Sequence, residues 1–177
     1  MVSMADSASR ATSAVPSAAI DDAVVSMVIR GDTAGLTLRL AAEPALLRQV
    51  DAHAHATLAH YCALEGRLVL LKRLAELGAP LDVRAGTTGM APIHWACSRG
   101  NLAVVQYLVT IAGVAPGVTD TLGMTPLMVA AQHNHPRLVF WLGTAYPETL
   151  TRVDQHGDTA LHWAAYKGSL QALTLLC

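Results

Sequence analysis

Phenylalanine occurs once in these 177 residues, cysteine three times, and charged residues make up only 14%. The cysteines, Cys62, Cys97 and Cys177, are odd in number and show no Cys-x-x-Cys spacing. That argues against a disulfide framework and for a reducing compartment. With a single phenylalanine, the core must be built from Ala, Leu and Val, which the 53% hydrophobic content supplies amply. A formal net charge of −1 leaves no basic footprint for nucleic acid. Apolar runs such as Leu68-Val69-Leu70-Leu71 are far too short to span a bilayer. No Ser-His-Asp order, Gly-rich phosphate loop or carboxylate pair has a setting for catalysis, so neither an activity nor a cofactor is expected. The mean hydropathy of +0.38 is nevertheless high for a free soluble domain.

What is present is a period. The tetrads Thr57-Leu58-Ala59-His60, Ala91-Pro92-Ile93-His94, Thr125-Pro126-Leu127-Met128 and Thr159-Ala160-Leu161-His162 follow one another at steps of 34 residues. Small or aromatic residues come next, and then a turn residue in register: Gly66, Gly100, Asn134 or Gly168. Such a period marks stacked supersecondary units that carry no chemistry of their own and bind other proteins. The Thr hydroxyls are placed to cap a first helix, and Pro92 and Pro126 sit where a missing N–H costs nothing. The tetrad His is placed to tie one unit to the next through loop backbone. The turn residue closes the helix in the left-handed region. Second helices are expected over Leu68–Ala75, Leu102–Thr110, Leu138–Leu142 and Leu170–Cys177. None would survive alone, so the fold is a property of the stack.

The unit boundaries are expected near residues 52–85, 86–119, 120–153 and 154–177. A degenerate unit precedes them, about 20–51, with Ala23, Val24, Met27 and Val28 on one helix face and Gly31-Asp32 at its turn. Residues 1–19 are Ser- and Ala-rich, show no period, and read as a disordered arm. Cys62 and Cys97 fall where sister units carry Ala96 and Ala131, so they read as buried fillers. Asp51, Asp82, Asp120 and Asp154 are taken as residues of the finger loops between units.

The tetrads, the Ala-pair helix starts, the turn glycines and the Asp-x-x-Gly fingers resemble the ankyrin repeat family over about residues 20–177. The resemblance implies an all-α solenoid of stacked helix-turn-helix units with finger loops. After the tetrad, where ankyrin repeats usually carry Leu, this chain has Tyr61, Trp95, Val129 and Trp163. Together with Gly123–Ala131 and Thr159–Gly168, these residues look like the ankyrin region of DHHC-type protein S-palmitoyltransferases. In that family the stack recruits substrates, and Trp95 matches the tryptophan that helps hold an extended Pro-containing peptide. One repeat earlier on that surface the residue is Glu65, where an amide would suit a peptide backbone better. No Asp-His-His-Cys tetrad occurs in these residues. The narrower kinship therefore implies a recruiting part of a longer protein, on the cytosolic face of a membrane. The other reading is a cytoplasmic adaptor with no enzyme attached.

The two His-x-His pairs, His53/His55 and His133/His135, lie more than two units apart, so they cannot share a metal ion and no metal site is expected. The partner-binding face is expected at the finger tips and the ends of the first helices. Its residues are Met90, Trp95, Arg99, Met124, Gln132, His133, His156, Trp163, Tyr166 and Lys167. They mix aromatic, Met and cationic character, as protein-binding surfaces do. The expected ligand is a protein or an extended peptide, with no nucleic acid and no membrane contact by this segment. The last helix offers Leu170, Leu173, Leu175 and Leu176 with little polar relief. That predicts an uncapped apolar face prone to self-association, and a chain that continues beyond its last residue.

Overall fold

The computed structural model of the chain describes residues 19–177; apart from Ala19, the proposed Ser/Ala-rich arm lies outside the described residues. The described residues form five helix-turn-helix pairs. These are α1 (Asp22–Arg30) with α2 (Thr33–Ala42), α3 (Leu58–Leu64) with α4 (Leu68–Glu76), and α5 (Pro92–Arg99) with α6 (Leu102–Thr110). They continue with α7 (Pro126–Gln132) and α8 (Pro136–Ala145), then α9 (Ala160–Tyr166) and α10 (Leu170–Leu176). Short 3-10 turns follow α2 at Pro44–Leu47 and α8 at Pro147–Thr149. Helix α8 extends beyond Leu138–Leu142 at both ends, with Pro136 at its first position, where the missing N–H costs nothing.

The first helices pack side by side as an inner layer, and the second helices form an outer layer. Small residues make the inner layer possible: Ala59, Ala63, Ala96, Ala130, Ala131 and Ala164 are buried, as are Cys62 and Cys97. Burial pushes the Cys62 thiol up to about 12 and raises Cys97 as well, so both behave as apolar fillers at neutral pH. Leu71, Leu74, Leu108, Leu138 and Leu142 fill the space between the layers.

Each pair turns through a left-handed residue. Gly66, Gly100 and Gly168 have φ of 65°, 76° and 66°, and Asn134 takes the same region at 53°. The residue after that turn then reaches back to the preceding unit. Asn101 donates to the carbonyls of Ala63 and Leu64 at 2.8 Å, and His135 Nε2 donates to that of Ser98 at 2.9 Å. Arg67 donates to the Ile29 carbonyl in the same way, and Ser169 to that of Gln132. These are the carbonyls that a helix C-terminus leaves without partners, so each unit caps the one before it.

The tetrad histidines form the second tie. His94 Nδ1 accepts the N–H of Ala91, which fixes the proton on Nε2, and Nε2 donates to the Met124 carbonyl at 3.1 Å. His60 does the same between Thr57 and Met90. Burial is the largest cause holding both rings neutral, and it lowers His60 to about 4. Where Met128 replaces histidine, Thr125 caps α7 through its own hydroxyl, which accepts the Met128 N–H.

At the far end of the stack α10 exposes Leu170 and Leu175, and Cys177 is exposed beside them. No helix among the described residues is long and apolar enough to cross a membrane.

Candidate functional site

Four fingers project between the helix pairs, and all close alike. The first residue of each donates its N–H to the carbonyl just before the next tetrad: Asp51 to Ala56, Ala85 to Met90, Asp120 to Met124, Asp154 to Asp158. That equivalence corrects the sequence reading. Ala85, not Asp82, holds the second place in this series, and Asp82 is exposed three residues upstream. The first two fingers are also one residue longer than the last two. His55, with φ of 49°, takes the left-handed position that Gly89, Gly123 and Gly157 fill in the others.

The aspartates organise their own loops. Asp154 accepts the N–H groups of His156 and Asp158 and the indole N–H of Trp163, the last at 2.8 Å. Burial pushes its carboxyl up, but these donors outweigh that and leave it below its ordinary value. Asp51 accepts from His53, Ala54 and Ala56, and the same contest leaves it lowered too. Tyr61 is raised to about 12 by burial and by the Asp51 carboxylate.

The consequence is that the two tryptophans of one column differ. Trp163 is bolted to its finger through Asp154. Trp95 has Ala85 in place of that acid, and among the described residues its indole N–H has no acceptor. Trp95 is half-buried, with its ring edge-to-face against His60 at 5.1 Å and Tyr61 at 5.7 Å. It floors a cleft of about 490 Å³ whose walls include His53, His55, Thr87, Thr88 and Met90. The ring thus packs on His60 and Tyr61 and lines the cleft as well.

Of the other residues expected at the face, His156, Trp163 and Tyr166 line a second cleft of about 370 Å³ with Asp158 and His162. Arg99, His133 and Lys167 are exposed at the ends of their helices, and Gln132 is half-buried next to them. Met124 does not belong with them. It is 3% exposed and packs in the core, and its carbonyl is spent on His94. Its place before the tetrad turns the side chain inward, under the finger. Sequence reasoning denied His53 and His55 a metal and gave them no other role. Yet His53 stands 34 residues before Thr87, a register that already placed it on the finger. Likewise His135 has a structural role, the bond to Ser98.

Two family models of ankyrin repeats match the chain, one over residues 59–109 and one over residues 93–177. Among curated proteins, Palmitoyltransferase AKR1 of Lachancea kluyveri is 31% identical over 121 residues, 66% of this chain and 16% of that protein. Palmitoyltransferase ZDHHC17 of Danio rerio is 35% identical over 164 residues, 73% of this chain and 26% of that protein. Ankyrin repeat domain-containing protein 63 of Mus musculus is 36% identical over 118 residues, 63% of this chain and 29% of that protein. The chain thus spans between 16% and 29% of the length of these three relatives.

Proposed function

The chain belongs to the ankyrin repeat family, a non-catalytic protein-interaction fold, and from that premise we propose that its concave face holds an extended peptide of a partner protein. The observation that carries the proposal is that Trp95 lines this cleft half-buried, with an indole N–H that finds no acceptor among the described residues. An extended peptide offers carbonyls at regular intervals, and the ring offers one fixed donor and an apolar face. Tyr and Trp side chains of this kind dominate binding energy because they bury a large area at small entropic cost. Met90 and the finger threonines supply adaptable walls. Trp163, already committed to Asp154, serves the fifth unit as a packing residue and lends its second cleft only an apolar wall.

The finer reading is that this stack recruits substrates for a protein S-palmitoyltransferase. It is supported by the likeness to AKR1 and ZDHHC17, two proteins named as palmitoyltransferases and matched over a fraction of their length. In that setting the segment stands at the cytosolic face of a membrane. The likeness to an ankyrin protein with no such name supports a free adaptor instead.

The test is binding of partner-derived extended peptides to Trp95→Ala and Trp95→Phe, with circular dichroism to confirm the fold. Trp95→Ala should cost more than about 1 kcal/mol. Trp95→Phe keeps the ring face but loses the donor, and should retain part of the affinity. Full binding by a folded Trp95→Ala protein removes this residue from the site.

A further inference from the structure

We propose that the concave face takes an acidic segment, running extended along a ridge formed by Arg99, His133 and Lys167 across the last three units; this rests on the reading of that face as a peptide-binding surface. The three residues recur at steps of 34, at the end of α5 and just past the ends of α7 and α9. All three are exposed. In the second unit the same position is Glu65, so the ridge begins only at the third.

Cations near a helix C-terminus have a plain structural use, since they complement the dipole and cap the last carbonyls. For α5 and α7 the capping is already done by other groups. Ser98 gives its carbonyl to His135, and Gln132 gives its own to Ser169. Nor are the charges neutralised within the fold. The ion pairs among the described residues involve Arg39 and Arg73, on the second helices of the first two units. Lys167 stands over the ring of Tyr166, 5.2 Å from its centre, which orients the ammonium without cancelling it. The nearest carboxylates in register are Glu65, one unit before Arg99, and Asp158, which lines the cleft with Tyr166. His133 carries the mark of a shared field. Burial is the largest cause lowering its proton affinity, followed by His135, Lys167 and Arg99. At neutral pH His133 is therefore neutral in the free protein, so Arg99 and Lys167 are the charges that steer an anionic partner, while a carboxylate beside His133 favours its protonated form and makes it the third contact.

The geometry also sets a register. Neighbouring units are about 10 Å apart, and a chain in the polyproline II conformation rises about 3.1 Å per residue with three residues per turn, so one unit corresponds to about 3 residues of ligand and every third side chain faces the ridge. The fitting segment therefore carries carboxylates at positions i, i+3 and i+6.

The probe is a short labelled peptide with Glu at i, i+3 and i+6 in a Gly-Ser background, followed by fluorescence anisotropy. One control carries Lys at the same places, and another carries the three Glu consecutively. At about 20 mM salt the spaced acidic peptide should bind at least about tenfold tighter than the Lys peptide, and most of that preference should vanish near 0.5 M, as roughly expected for exposed charges. The doubly substituted Arg99→Ala/Lys167→Ala protein, folded by circular dichroism, should lose about tenfold in affinity. Equal binding of spaced and consecutive Glu overturns the register, and equal binding of Glu and Lys peptides overturns the ridge. Partner-derived peptides that need Trp95 but ignore the double substitution overturn the ridge while leaving the concave-face reading in place. Acidic peptides that bind as tightly to the double variant as to the parent overturn it as well.

Discussion

The turn residue Gly100 separates two costs that are usually confounded. Its φ of 76° lies in the left-handed region, where a Cβ costs roughly 1–2 kcal/mol. A Cβ there would also stand 2.6 Å from His135 Nδ1 and 2.9 Å from its Cε1, too close for either to stay. The imidazole must swing away, and with it goes the bond from Nε2 to the Ser98 carbonyl, about 1 kcal/mol more. Gly100→Ala should therefore cost about 2–3 kcal/mol in all. Gly78 supplies the control, because its φ is 82° and a Cβ there meets nothing within 4 Å. Gly78→Ala should show the conformational cost alone, about 1–2 kcal/mol. Urea unfolding of both variants, and of His135→Ala with and without Gly100→Ala, completes a double-mutant cycle. The cycle should return about 1 kcal/mol of coupling, since removing the ring removes the clash. Gly100→Val, β-branched at positive φ, should be worse than Gly100→Ala and lower the melting temperature by several degrees. Equal costs at Gly78 and Gly100, or a cycle with no coupling, would refute the argument that His135 is seated on this turn.

Acidification from pH 6.5 towards 4 should lower the urea midpoint. An unfolded histidine takes its proton near 6.5 while buried His60 stays neutral to about 4, so the unfolded state binds more protons in that window. His60 alone accounts for about 3 kcal/mol by pH 4, and a midpoint flat between pH 7 and 4.5 contradicts its burial. The lowered Asp51 and Asp154 act further down, their contribution being lost as the pH falls through their folded values below 3.8. Asp154→Ala should cost about 1–3 kcal/mol and shift Trp163 emission, because three donors lose their acceptor. Asp82→Ala, on an exposed residue, should stay within about 0.5 kcal/mol, and similar costs for the two would restore Asp82 to the finger series. Asn101→Ala should cost about 1–2 kcal/mol in a thermal melt through the loss of two bonds to Ala63 and Leu64.

The 34-residue step carried the fold in the sequence, because each column of the repeat meets one environment. Tetrad histidine, inner alanine and turn glycine therefore read true from position alone. Columns fail where two neighbouring deviations interact. Met124 and Met90 both precede a tetrad, yet one is buried and the other lines a cleft. The finger before Met90 is a residue longer than the one before Met124. Donors such as Asn101, His135 and Ser169 were also hidden, since their chemistry differs although each reaches the same kind of carbonyl. Trp95 and Trp163 make the sharpest case. Identity and register equate them, and sequence reasoning gave both to the binding face. What separates them is the residue that begins each finger, an acid before Trp163 and Ala85 before Trp95. Pairing with Asp154 satisfies the Trp163 indole inside the fold, whereas the Trp95 indole has no such partner among the described residues. In the proposed function a position serves binding where its structural partner has been replaced, and that replacement lies in a different column from the aromatic residue it sets free.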